Sequence, residues 1–372
     1  SVLNNVKRMN KPVVLHVATQ KGKGYPRAEG DPSSYHGVSP VKSVDGKVEK
    51  VEPVSYTQAF ASSLCDTAAK NENVVGISAA MMKGTGLGHF QELYPDRFYD
   101  VGIAEQHAVT FSAGLSLTGV RPVLAIYSTF MQRAVDQVIH DVALPKLPVI
   151  FAMDRSGLVG GDGETHQGLY DIALFRSVPN MTILSPATTG EMSLMLDWAL
   201  EQTGPVMLRY PKDVCPAQKA EETEEIQPGR GVFVEENSAE VLLVSVGGLY
   251  RESLEAVNLL AREGITVDHY NLRFIKPLDE EHLAEIFSRY AHVMLVEDGA
   301  QRGGIGEEIA SVLLREGAEC AYHWYGVPDR FFAQAERSEL IQISGLDAES
   351  IAEKVQMKIA KPFGVVKTAL NS

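Results

Sequence analysis

The sequence predicts an α/β protein of two parallel-sheet domains in succession, each covered by helices. Two patterns and one interruption carry this. Short Val-, Ile- and Leu-rich runs recur without polar alternation, as strands buried on both faces do. They alternate with segments of helical apolar spacing, which puts the strands side by side in a parallel sheet. The pattern breaks once, at the acidic, proline-bearing stretch Lys219–Pro228, and then restarts. A chain of 372 residues has room for this arrangement and for a large core.

The start of the chain is the exception. Lys11–Thr19 reads as a buried strand, yet only Val2–Met9 precede it, too few to supply sheet neighbours. It has the character of the tail of a preceding domain. Gln20–Pro26 follows as a glycine-rich basic turn, and 29–53, with Pro32, Pro40 and Pro53, as a long linker holding Tyr35-His36-Gly37. Four regions result: 1–54 (tail and linker), 55–218 (first full domain), 219–235 (acidic linker) and 236–372 (second domain).

In the first full domain, Tyr56–Lys70 has an apolar helical face and Val74–Ser78 is a strand. Phe98–Val101 turns through Gly102 into an amphipathic helix, which sets Glu105 in its first turn. Free N–H groups and the helix dipole favour a carboxylate there. The apolar neighbours Ile103, Ala104, Ala108 and Val109 aim it into a buried site, where it needs a partner. Then come strand Arg121–Tyr127, helix Phe130–Val142, strand Pro148–Met153 and the glycine-rich loop Asp154–Gln167. Helix Leu169–Phe175, strand Met181–Leu184, helix Thr189–Glu201 and strand Val206–Arg209 complete the domain. The second domain reads as strands Val241–Val246, Ile265–Tyr270, Val293–Glu297 and Cys320–Tyr325, with helices Arg251–Arg262, Asp279–Arg289, Ile305–Arg315 and Ala348–Lys358. Gly303-Gly304-Ile305-Gly306 opens one of these helices; without a Rossmann fingerprint it reads as packing glycine before anion site.

With 34 basic against 48 acidic residues and a net charge of −14, the composition argues against a nucleic-acid surface. Cys65, Cys215 and Cys320 lie far apart with no metal spacing, which favours a reduced, cytoplasmic protein. No apolar run reaches membrane-spanning length. Polar chemistry is densest between Tyr127 and Arg209. In such sheets ligands sit beyond the carboxyl ends of strands, and two arginines at comparable strand ends, Arg155 and Arg209, suggest a phosphate or carboxylate clamp.

Seven motifs in this order resemble the 1-deoxy-D-xylulose-5-phosphate synthase family. They are Lys21-Gly-Lys-Gly-Tyr25, Tyr35-His-Gly37, Ile103-Ala-Glu-Gln-His107, Ile126-Tyr-Ser-Thr-Phe130, Asp154-Arg-Ser-Gly157, Asp162-Gly-Glu-Thr-His-Gln-Gly168 and Leu208-Arg-Tyr-Pro211. Arg273-Phe-Ile-Lys-Pro-Leu278 extends the match into the C-terminal domain. The resemblance implies a transketolase-like, thiamine-diphosphate-dependent transferase joining pyruvate to D-glyceraldehyde 3-phosphate with loss of CO2, in a cytoplasmic homodimer. It further implies that Glu105 hydrogen-bonds the cofactor's aminopyrimidine, that Phe130 packs on that ring and that Tyr25 contacts the cofactor. His36 and His166 match the active-site histidines, while Tyr127, Arg155, Asp162 and Arg209 match the acceptor site. The family holds Mg2+ and the diphosphate on a Gly-Asp-Gly segment followed at a distance by asparagine. Gly161-Asp162-Gly163 lacks that sequel, so no metal ligand is expected in this chain and the diphosphate-binding domain reads as missing upstream. Two other readings compete: a half-transketolase or 2-oxoacid dehydrogenase β-subunit acting with a partner chain, and a non-catalytic interaction module.

Overall fold

The computed structural model describes residues 1–32, 35 and 53–360, in two units, Ser1–Glu52 and Pro53–Ser372. In the first unit, short helical turns at Val2–Val6 and Pro26–Gly30 flank a segment without regular structure. The strand expected over Lys11–Thr19 is not formed, and Val14 is 96% exposed. The described part of this unit contains no other strand, and an apolar run without a ladder partner cannot satisfy its backbone as sheet.

Among the described residues, the second unit holds twelve strands. Those of the first half are β1 (Val74–Ser78), β2 (Phe98–Asp100), β3 (Arg121–Tyr127), β4 (Ile150–Asp154), β5 (Thr182–Leu184) and β6 (Val206–Arg209). Those of the second half are β7 (Val232–Glu235), β8 (Val241–Ser245), β9 (Asp268–Asn271), β10 (Phe274–Lys276), β11 (His292–Ala300) and β12 (Ala321–Val327). They form a seven-stranded sheet, β10-β5-β6-β4-β3-β1-β2, and a five-stranded sheet, β12-β11-β8-β9-β7. Each is parallel except at one edge, where β10 runs antiparallel to β5 and β7 antiparallel to β9. The two expected parallel sheets are present, each with a single antiparallel strand added at one border. The helices cover both faces, and one apolar cluster runs from Ile77, Leu124 and Phe151 through Ile172 and Phe175 to Leu242, Val244 and Leu295. The two sheets share this core.

Local signals account for most boundaries. Ser55 caps the helix Tyr56–Lys70 in a reciprocal box with Gln58, and Thr188 and Asp347 cap Thr189–Glu201 and Ala348–Ile359. The expected helix Phe130–Val142 is not continuous. It begins at Ser128 and passes through a 3-10 turn at Gln132–Ala134 into a π-helical stretch at Val138–Ala143. Apolar spacing reports which face is buried, not how many residues each turn contains.

The glycine run at 303–306 does meet an anion, an internal one. Ile305 N and Gly306 N, opening the helix Ile305–Glu316, each donate at 2.9 Å to the Glu297 carboxylate. Burial drives this carboxyl up to about 7, against the opposing pull of the two amides and Arg209. The folded state therefore binds more protons than the unfolded one between the ordinary value of 4.5 and about 7. Its contribution is largest below that window and is lost as pH rises through it. Glu297→Gln lacks this titration, so its Tm deficit relative to the parent should shrink between pH 5 and pH 8. A deficit independent of pH would mean that Glu297 ionises as an ordinary carboxylate.

Candidate active site

The carboxyl ends of β1, β2, β3, β4 and β6 lie along one edge of the seven-stranded sheet, and the polar residues gather beyond them. Glu105 opens the helix Glu105–Ser116 and is 3% exposed. Arg133 Nη1 donates to its Oε1 at 2.5 Å. The same guanidinium lies 4.9 Å from the Phe130 ring centroid, so Phe130 and Glu105 share one cation.

From Phe130 a row of rings leads across the strand ends. The Tyr127 and Phe130 rings stack at 5.8 Å, and His166 meets Phe130 edge-on at 5.3 Å. Arg155 lies over the Tyr127 ring at 3.7 Å. Burial raises the Tyr127 phenol above its ordinary value despite Arg155, and Asp154 and Asp162 add to that rise. The phenol therefore keeps its proton at neutral pH. Gly84 makes room for it: a Cβ there would stand 1.7 Å from the Tyr127 hydroxyl oxygen.

Arg155 adopts φ 61°, a strained backbone for a residue with a side chain. Its Nη1 donates to Gly84 O at 2.8 Å and to Asp154 Oδ1 at 3.2 Å. Asp154 is fully buried; burial raises its carboxyl to about 6, while Arg155 and the Thr57 hydroxyl, 2.8 Å from Oδ2, pull it down. Beyond Arg155 the chain forms a loop whose neck is closed by Gly157 and Gly168, bonded to each other in both directions. Asp162, on this loop, lies 3.8 Å from Arg155 Nε and accepts from Lys212 Nζ at 2.9 Å.

Arg209 departs from the expected clamp. It is 0% exposed and donates from Nε to Asp171 Oδ2 at 3.0 Å and from Nη1 to Asp298 Oδ1 at 2.6 Å. Burial alone would lower the guanidinium, but the two carboxylates outweigh it and hold it above its ordinary value. Arg209 still belongs to β6, which is covered on both faces, so its charge is spent between the two domains. The exposed cation lies three residues on, at Lys212. Of the two, only Lys212 lies past the end of the strand. Arg133 was missed as well; its place one helical turn after Phe130 was the available signal.

Glu105, Phe130, Tyr127, His166, Arg155 and Asp162 are thus linked along one strand-end edge. Tyr25 belongs to the other unit, half-exposed, with its ring 5.5 Å from that of Tyr35. His36 lies outside the described residues. Cavities of about 460 and 450 Å³ open elsewhere, one beside Arg230, Tyr270 and Arg289, the other beside Cys65 and Tyr94. Neither contains a residue of the row.

Residues 52–218 match the family described as transketolase, pyrimidine binding domain, and 229–351 match transketolase, C-terminal domain. Both domains belong to the transketolase family. Curated relatives named 1-deoxy-D-xylulose-5-phosphate synthase include one from Treponema pallidum (strain Nichols), 49% identical over 98% of this chain and 58% of its own length. Another, from Magnetococcus marinus, is 46% identical over 94% of this chain and 57% of its own. The chain therefore spans a little over half the length of these relatives. Among solved structures, a split-gene transketolase described as an inactive beta4 tetramer matches with TM-score 0.73 and 29% identity, over 82% of this chain and 99% of its own. A Campylobacter jejuni transketolase shares the fold at TM-score 0.68 and 17% identity, over 84% of this chain and 48% of its own. In the transketolase pair of domains, the strand-end row falls within the pyrimidine-binding match, and Asp298 falls within the C-terminal match. Among the described residues no helix is long and apolar enough to cross a membrane.

Proposed function

We propose that this chain provides the pyrimidine-binding and acceptor-binding part of a 1-deoxy-D-xylulose-5-phosphate synthase, which condenses pyruvate with D-glyceraldehyde 3-phosphate and releases CO2. The observation that carries the reading is the row itself: a buried carboxylate at a helix start, then stacked rings, then a cationic cup, on neighbouring strand ends of one sheet. The carboxylate and the rings suit thiamine diphosphate. Glu105 offers a charged acceptor to an aminopyrimidine, held in place by Arg133, and Phe130 offers a ring face to pack on it. When bound, that cofactor supplies an electron sink for decarboxylation of a 2-oxo acid. Its diphosphate and Mg2+ would call for further oxygen ligands; among the described residues no group of three or more His, Cys, Asp or Glu is arranged to hold a metal ion.

The remaining residues serve the acceptor. Tyr127, neutral at working pH, donates a hydrogen bond to an oxygen of the sugar. His166, against Phe130, is placed to exchange a proton with the aldehyde oxygen as the new C–C bond forms. Arg155 and Lys212 face a phosphate dianion, and Asp162 lies between them as the carboxylate the phosphate displaces or joins. The same reading carries with it a cytoplasmic homodimer that supplies isoprenoid and thiamine precursors.

Assay of the chain extended to the full length of its relatives, with thiamine diphosphate, Mg2+ and both substrates, following CO2 and the five-carbon phosphate product, tests the reading. Bonds to charged groups contribute roughly 1.5–3 kcal/mol. Arg155→Ala or Lys212→Ala should therefore raise KM for glyceraldehyde 3-phosphate about ten- to a hundredfold, with little change for unphosphorylated glyceraldehyde. Equal losses for both acceptors would move the phosphate site elsewhere. A second reading, a subunit completed by a separate partner chain, is favoured by the split-gene transketolase matched over 99% of its length. Activity that appears only on adding a diphosphate-binding partner would select it.

A further inference from the structure

Resting on the acceptor site proposed above, we infer that the segment Gln334–Arg337 of the second domain is the positioning strap of the phosphate cup. It grips Asp162 and Lys212 through the residues beside each. These two side chains come from loops that are remote in sequence, and their mutual bond is half-exposed at both ends. An ion pair of that kind holds little by itself, so the register of the cup has to be set from outside it.

On the Asp162 side, both polar groups of Gly161 are taken. Gly161 N donates to Ala335 O at 3.1 Å, and Gln334 Nε2 donates to Gly161 O at 2.6 Å. Tying both fixes the peptide planes leading into Asp162. Gly160 lies so close that a Cβ would stand 2.4 Å from Arg337 N, and Leu158 is packed in the second domain's core with Phe332 and Leu340. On the Lys212 side, Arg337 is 8% exposed and donates from Nη1 to Asp213 Oδ2 at 2.5 Å and from Nη2 to Gly248 O at 2.9 Å. Asp213 directly follows Lys212. Gln334, Ala335 and Arg337, within four consecutive residues, therefore hold the neighbours of both members of the cup, although none of them belongs to it. Arg337 and Gln334 act through Asp213 and Gly161, which makes them positioning residues for the phosphate-bearing acceptor.

Hydrogen exchange of the full chain, read by mass spectrometry over 160–166 and 211–214, tests the grip. Calorimetric binding of glyceraldehyde 3-phosphate and of glyceraldehyde tests its use. Gln334→Ala removes one exposed donor, and Arg337→Lys keeps the charge but loses the two-point fork; neither should lower Tm much. In Gln334→Ala, exchange over 160–166 should rise about fivefold, the value of one ordinary hydrogen bond. Affinity for glyceraldehyde 3-phosphate should fall by a similar factor, with glyceraldehyde unaffected. Arg337→Lys should loosen 211–214 with the same selectivity, and Gln334→Lys, which restores a donor, should recover protection over 160–166. Unchanged exchange in both loops, or looser loops with unchanged phosphate affinity, overturns the strap alone. No binding of the phosphorylated acceptor by the parent chain removes the acceptor reading and the positioning role with it.

Discussion

Glu105→Gln, in a chain extended to the full length of its relatives, is expected to slow deuterium exchange at C2 of bound thiamine diphosphate by about a hundred- to ten-thousandfold, the range of a positioned acid–base group. The substitution keeps shape and an acceptor oxygen for Arg133 Nη1, so the helix Glu105–Ser116 and its packing should survive. What it removes is the negative charge that, on the proposed reading, would stabilise the protonated side of the pyrimidine. Folding can be followed separately by thermal denaturation, and pyruvate decarboxylation should fall in step with exchange. If exchange stays as fast as in the parent while the protein remains folded, Glu105 is a buried helix-start carboxylate held by Arg133, and the cofactor assignment loses its main support.

Arg209→Ala should act on a different quantity. Asp171 and Asp298, at 0% and 1% side-chain exposure, would be left buried without their cation. Removing one partner of a buried ion pair costs on the order of 3–5 kcal/mol, a large part of the stability of most domains. Denaturant unfolding should show the loss in the midpoint. Arg209→Met combined with Asp171→Asn and Asp298→Asn, which removes the charges together, should regain most of it. A single Arg209→Ala protein as stable as the parent, with weakened binding of glyceraldehyde 3-phosphate, would restore Arg209 to the substrate clamp.

Much of this was legible beforehand, for reasons that mark where reading stops. Val74–Ser78, Arg121–Tyr127, Thr189–Glu201 and Val206–Arg209 were expected with the observed bounds, because periodicity and caps are local properties. Glu105 was placed correctly in a first turn and buried, on the side of Ala108 and Val109, although Ile103 before it is 82% exposed. Other features depended on distant chain. β7 and β10 are short edge strands defined by their partners; Val232–Glu235 and Phe274–Lys276 carry strand-forming residues but are too short to show which sheet they join. Lys11–Thr19 carries a strand's composition without a ladder to join. Arg209 looked like an available cation because Asp298, its partner, lies 89 residues further along the chain. Charge neutralisation of that kind leaves no trace in local spacing.

The antiparallel strand β10 has a bearing on how this architecture tolerates rearrangement. It comes from beyond the acidic linker, yet it borders β5 of the first sheet. A hybrid protein joined anywhere in 219–235 would give one parental half a foreign border strand, or none. Its open N–H and C=O groups would then be a template for self-association. A junction placed after Lys276 would carry the border strand with its own sheet but would split the five-stranded sheet, whose β7, β8 and β9 precede it. No single cut respects both halves, so chimeras of this pair should be sought by exchanging the whole of 53–360 rather than either half.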